Sequence, residues 1–154
     1  MRADRVVIGV GGDSRGDDAA GLEVVRLLRG TLPPSVVLTE SSGDPMHLVT
    51  AWSGARLAIV IDAVSSGAAP GTIHTAVRPG PAPAWRASSH ALGLPDAMAL
   101  GEALGLLPDE LVVFGVEGGD FGLDTPVTPP VRAAIRETAE AVRQRLDDLR
   151  QQEQ

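Results

Sequence analysis

The stretch RLAIVID, residues 56–62, decides the fold class of this 154-residue chain. Three of its five consecutive apolar residues are β-branched, which is typical of a strand buried on both faces of a parallel sheet. A strand of this kind is covered by helices on both sides. The stretch therefore predicts an α/β protein, and it places the carboxylate of Asp62 at the end of a buried strand.

Strands and helices alternate along the rest of the chain. In chain order, the sequence predicts strands at 5–11, 35–39, 56–62, 72–77 and 110–116, and helices at 17–29, 44–52, 95–104 and around the apolar stripe from 131 to 149. This alternation favours parallel pairing with right-handed crossovers, and hence a three-layer α/β/α fold around a mostly parallel twisted sheet. Because no repeat or linker interrupts the pattern, we expect residues 1–154 to form a single domain.

Composition excludes several classes of function. A net charge of −7, with no run of basic residues, argues against a nucleic-acid partner. The absence of cysteine excludes disulfides, thiolate metal sites and a cysteine nucleophile. The apolar run at 6–10 is too short for a signal peptide or a membrane span, so we expect a cytoplasmic protein.

Polar residues cluster where ligands bind in such folds, outside the carboxyl ends of the strands. The loops that reach this edge are residues 11–18, 62–67, 88–90 and 117–120. A single aspartate at a helix N-terminus usually caps the helix, but Asp17 and Asp18 are adjacent and cannot both do so. One of the two is therefore expected to point elsewhere.

Asp62 and His90 are the other candidates at this edge. A carboxylate beside apolar residues costs several kcal/mol to bury unless it meets a cation or hydrogen-bond donors, although Asp62 could also cap a turn. His90 follows two serines in a polar bend, whereas His47 and His74 are expected to be structural or exposed. Two carboxylates and one imidazole would supply three ligands to nickel, zinc, manganese or iron(II) and leave positions open for water or substrate.

Other chemistries fit the sequence less well. The glycine-rich loop at 9–16 suggests a nucleotide-binding module, in which Glu40 would bind a ribose. Against this, Ser14 stands in place of the third glycine of the dinucleotide-binding motif, and the acids of the loop would repel a pyrophosphate. No Gly-x-Ser-x-Gly elbow accompanies Ser88 and Ser89, and the helical His-Glu-x-x-His motif is absent. A purely structural or binding module remains as an alternative.

Three motifs resemble those of the hydrogenase maturation proteases. The first is VIGVG at 7–11 followed by GDDAAG at 16–21, the second is IDAV at 61–64 with PGT at 70–72, and the third is SSHALGL at 88–94. The order and spacing of these motifs are similar to those of the family through the last strand and the closing helix. Gly12 departs from the family pattern, which usually has Asn there, and Asp18 stands where some members have Glu.

The resemblance implies an aspartyl-type endopeptidase, a hydrolase that removes the C-terminal extension of a nickel–iron hydrogenase large-subunit precursor. It also implies that Asp18, Asp62 and His90 contact the metal and are the catalytic residues. The family acts on a nickel-loaded precursor, so the nickel is expected to arrive with the substrate, and other divalent metals could substitute for it. A relative that binds the large subunit without cutting it is a further alternative.

Overall fold

A five-stranded sheet with helices on both faces forms the centre of the molecule. The computed structural model describes residues 4–13, 15–78 and 93–152. In chain order its elements are β1 (Arg5–Val10), a 3-10 turn (Gly16–Ala19), α1 (Ala20–Leu28), β2 (Val36–Ser41), α2 (Pro45–Trp52), β3 (Leu57–Val64), β4 (Ile73–Arg78), α3 (Gly93–Leu104), β5 (Glu110–Glu117) and α4 (Pro129–Gln152). The predicted α/β class is confirmed.

The strands lie in the order β2-β1-β3-β5-β4. The four strands β2, β1, β3 and β5 are parallel, and β4 pairs antiparallel with β5 at the edge. The expectation of a mostly parallel sheet is therefore confirmed. The parallel order brings the carboxyl ends of β1, β3 and β5 to one edge.

Two apolar layers enclose the sheet. The layer under α1 and α4 includes the stripe that the sequence predicts for the last helix, since these six residues are all buried: Val131, Ile135, Ala139, Val142, Leu146 and Leu149. The layer on the opposite face packs α2 and α3 against β1, β3 and β5. None of the helices in the described ranges has the length and apolarity that crossing a membrane requires.

Several element boundaries differ by a few residues from the sequence-based expectation, and two of these differences affect the candidate site. β3 does not end at Asp62 but continues to Val64, because β5 extends equally far and pairs Asp62 with Gly115 and Val64 with Glu117. The helix expected from Asp17 begins instead as the 3-10 turn, and α1 starts at Ala20. Asp62 is thus held inside a paired strand, which fixes its backbone more firmly than a loop would.

Glycines allow α1 to lie directly on the sheet. A Cβ added to Gly21 would stand 2.3 Å from the Ile61 oxygen and 2.4 Å from the Val10 oxygen, and one on Gly9 would stand 2.3 Å from the Gly21 oxygen. Backbone oxygens at these distances leave no space for a side chain. The glycines of the first motif therefore serve helix-to-strand packing, and they bring the 3-10 turn onto the ends of β1 and β3.

Candidate active site

Asp18 and Asp62 are brought together at the carboxyl edge of the sheet. Asp18 belongs to the 3-10 turn and is fully buried, and its Oδ2 accepts a hydrogen bond of 3.0 Å from the Gly12 amide. Asp62 lies two residues before the end of β3 and is only 2% exposed. The close packing of the turn on β3 therefore places two carboxylates in one buried region.

The two oxygens of Asp62 have different surroundings. Its Oδ1 accepts a hydrogen bond of 2.8 Å from the Ala63 amide, whereas its buried Oδ2 has no hydrogen-bond partner in the described part of the chain. Burial raises the pKa of the Asp62 carboxyl well above its usual range, and the negative charge of Asp18 raises it further, against the lowering effect of the Ala63 hydrogen bond.

This carboxylate pair fits a divalent cation. An unpartnered buried oxygen beside a second carboxylate is stabilised by a cation, and carboxylate oxygens suit hard and borderline divalent metals. Across residues 4–13, 15–78 and 93–152, no group of three potential ligands is assembled. His90, which the sequence predicts as the third ligand, lies outside the described residues, as do Ser88 and Ser89.

Asp17 has different hydrogen-bond partners from Asp18. Its carboxylate accepts hydrogen bonds from the amides of Gly119 (2.7 Å), Asp120 (3.0 Å) and Thr128 (2.7 Å), and from the Thr128 hydroxyl. No side chain caps α1, so the capping role expected for one of the two acids is wrong for this helix. Distant backbone amides satisfy the buried Asp17 carboxylate instead of the helix N-terminus.

Gly16 fits the same turn against the segment after β5. Its φ is +58°, and an added Cβ would stand 2.4 Å from the Asp120 oxygen and 2.5 Å from Thr125 Oγ1. The Asp17 amide donates a hydrogen bond of 2.8 Å to the same Asp120 oxygen. The turn that carries Asp18 is therefore fixed on one side by the sheet and on the other by this segment.

Glu117 is a buried acid at this edge whose role the sequence did not reveal. It accepts hydrogen bonds from the amide and hydroxyl of Ser66 and stands 3.1 Å from Nε2 of His74. Burial acts to raise its pKa, but the hydrogen bonds from Ser66 and His74 outweigh burial, and the pKa of Glu117 is lowered. The only sequence signal for this site was an acid between a buried strand and two glycines.

Glu40, the candidate for binding a ribose, is engaged in ion pairs. Its carboxylate accepts hydrogen bonds from Arg26 (2.8 Å) and Arg29 (3.0 Å), and Arg26 also binds Asp13. Hydrogen bonds from these arginines lower the pKa of Glu40. With Glu40 occupied and the glycines used for packing, the geometry gives no support to the nucleotide-binding alternative.

The remaining two histidines fall in different environments. His47 is exposed on α2 and has its Nδ1 at 2.8 Å from the Ser41 hydroxyl. The His74 side chain is 22% exposed and lies beside Glu117. Both are consistent with the structural or exposed positions that the sequence suggested for them.

Comparisons with known proteins converge on one family. The family model described as "Hydrogenase maturation protease" matches residues 22–145, a range that contains Asp62 and His90 and begins after Asp18. HoxM of Azotobacter vinelandii, a hydrogenase expression/formation protein, is 34% identical over 151 residues, which cover 91% of this chain and 72% of HoxM.

Two further matches agree with these. The hydrogenase expression/formation protein HupM of Azotobacter chroococcum mcd 1 is 34% identical, and the match covers 84% of this chain and 65% of HupM. The solved structure of the hydrogenase maturating endopeptidase HybD from E. coli matches with a TM-score of 0.82 and 27% identity, and covers 96% of this chain and 93% of HybD. The chain thus spans about two thirds to three quarters of the length of HoxM and HupM and nearly all of HybD.

Proposed function

This chain belongs to the hydrogenase maturation protease family, and we propose that it removes the C-terminal extension of a nickel-loaded large-subunit precursor of a nickel–iron hydrogenase. As a member of this family it is an endopeptidase. The observation that carries the proposal is the buried Oδ2 of Asp62, which lacks a hydrogen-bond partner in the described residues and lies near the charge of Asp18. A carboxylate in that state is suited to a cation that arrives from outside the chain.

The residues proposed to hold the metal are Asp18, Asp62 and His90. Nickel enters as part of the substrate, and another divalent ion could replace it. Bound by these residues, such an ion would polarise the scissile carbonyl as a Lewis acid or activate a water molecule. The Gly12 amide orients Asp18, and pairing with β5 fixes Asp62. These restraints limit the movement of both carboxylates, which favours binding of a substrate in one defined position.

The substrate is proposed to be a protein, the large-subunit precursor, and the reaction is proposed to take place in the cytoplasm. Two features support this proposal: the match to the maturation protease family and the absence of a membrane-crossing helix in the described ranges.

The test is cleavage of a nickel-loaded large-subunit precursor by the purified chain, followed by intact mass spectrometry. We expect the wild type to release the C-terminal extension, and expect Asp18→Ala, Asp62→Ala and His90→Ala each to lower the rate at least about a hundredfold. Asp147→Ala, at an exposed position on α4, is the matched control and should cleave normally. Binding of the precursor without cleavage by the wild type would refute the peptidase activity, and normal cleavage by Asp62→Ala would refute the role of that residue.

A further inference from the structure

The segment 118–128, which we call the β5–α4 loop, is held tightly although it has no regular secondary structure. Asp17 accepts hydrogen bonds from the amides of Gly119, Asp120 and Thr128, so one buried carboxylate joins both ends of the loop. Within the loop, the Asp120 carboxylate accepts from the Gly122 amide, and the Thr125 hydroxyl donates to the Gly122 oxygen. These bonds define one conformation for the loop.

The tip of this loop presents a hydrophobic side chain to solvent. Leu123 is 71% exposed, more than any other large hydrophobic residue in the described ranges. The next residue, Asp124, has a φ of +57° and is the one non-glycine residue of those ranges with a positive φ. Backbone of this kind costs roughly 1 kcal/mol in a non-glycine residue and recurs at ligand-binding sites.

A single exposed leucine is ordinary on a protein surface. Leu123 differs from such a residue because the loop that carries it is attached to the 3-10 turn of Asp18. The Asp17 amide donates to the Asp120 oxygen, and Gly16 has no space for a side chain against that oxygen. Loops that a rigid scaffold holds in place carry a disproportionate share of the residues that bind partners.

We propose that the β5–α4 loop is the docking surface for the large-subunit precursor, with Leu123 inserted into an apolar pocket that basic side chains border. This inference rests on the proposed function, because it takes the precursor as the partner. We expect basic side chains around the pocket of the precursor because Asp120 and Asp124 are exposed on either side of Leu123, and the chain carries a net charge of −7.

If the precursor docks through Leu123, replacing this residue should weaken the binding of the precursor without changing the rate at which the bound precursor is cleaved. Leu123→Asp should raise the Kd and the KM for the precursor at least about tenfold and leave kcat unchanged, because Leu123 is proposed to bind the precursor and not to contact the reacting atoms. Asp124→Asn removes one charge and keeps a residue that tolerates a positive φ. It should slow association at low salt and have little effect at high salt.

The experiment measures the affinity of the full chain for the nickel-loaded precursor by calorimetry, in parallel with cleavage kinetics. Leu104→Asp is the matched control, because Leu104 is 52% exposed and lies at the end of α3 on the opposite edge of the sheet. Thermal unfolding of each variant establishes that its fold is retained. Of the two leucine variants, only Leu123→Asp is expected to bind the precursor more weakly than the wild type.

The outcomes separate this inference from the proposed function. Wild-type binding without cleavage refutes the peptidase activity but leaves the docking surface standing if Leu123→Asp still weakens binding. Cleavage by the wild type together with equal Kd and KM for Leu123→Asp and Leu104→Asp overturns the docking surface and leaves the activity standing. A wild type that does not bind the precursor overturns both.

Discussion

Asp17 and Asp18 are consecutive residues whose buried carboxylates bind different parts of the fold. Asp17 binds the β5–α4 loop through the amides of Gly119, Asp120 and Thr128. Asp18 binds the Gly12 amide after β1 and contributes its charge to the surroundings of Asp62. The acid pair therefore joins the candidate metal site to the loop at its rim: Asp17 holds the loop, and Asp18 belongs to the candidate site.

Replacing Asp17 by alanine should destabilise the protein by about 3 kcal/mol, because three buried amides lose their acceptor at once. The measurement is urea unfolding followed by circular dichroism. Asp13→Ala is the matched control, since Asp13 is an exposed partner of Arg26 and its ion pair contributes about 1 kcal/mol or less. Equal stabilities for the two variants would show that the amides find water or other acceptors.

Replacing Asp62 by asparagine should stabilise the metal-free protein by about 1 kcal/mol or more, because it removes a carboxyl whose ionised form is disfavoured by burial and by Asp18. We expect nickel to raise the Tm of the wild type and to have little effect on the Tm of this variant, since an amide is a poorer ligand for a cation. Thermal unfolding with and without nickel measures both effects. A lower Tm for metal-free Asp62→Asn would contradict the inference that the Asp62 carboxyl destabilises the metal-free fold.

The stability contributed by Glu117 should depend on pH. Its pKa is lowered in the folded protein, so its contribution to stability is present above pH 4.5, the ordinary pKa of a glutamate, and is lost as the pH falls through the lowered pKa of the folded state. The difference in unfolding free energy between wild type and Glu117→Gln should therefore be larger at neutral pH than in acid. Urea unfolding across this range tests the prediction, with Glu102→Gln at an exposed position as control. A difference that does not change with pH would rule out this linkage.

Replacing Gly21 by alanine should cost about 3 kcal/mol or prevent folding, because the added Cβ would collide with backbone oxygens of Ile61 and Val10 that cannot move independently. Gly30→Ala is the comparison: its φ is +76° but its surroundings are open, so only the conformational cost of about 1 kcal/mol applies. Similar losses in the two variants would mean that α1 can shift away from the sheet.

Much of the fold was predictable because burial leaves a local pattern in the sequence. The five strands and four helices fall within a few residues of their predicted ranges, and the apolar stripe of α4 is buried as its spacing indicates. Boundaries were less predictable. β3 continues beyond Asp62 because β5 pairs with it as far as Glu117. The end of β3 therefore depends on both strands and cannot be predicted from the sequence of one.

The sequence by itself determined which residue types reach the carboxyl edge of the sheet, since strand direction alone delivers Asp17, Asp18 and Asp62 there. Only the tertiary structure decided what each carboxylate does. Asp17 is satisfied by Thr128, 111 residues away, and Glu117 by Ser66, 51 residues away. Such partners depend on how loops pack once the sheet has formed, and no local periodicity records them. The packing of the 3-10 turn on β3 likewise decided that Asp18, and not its neighbour, approaches Asp62.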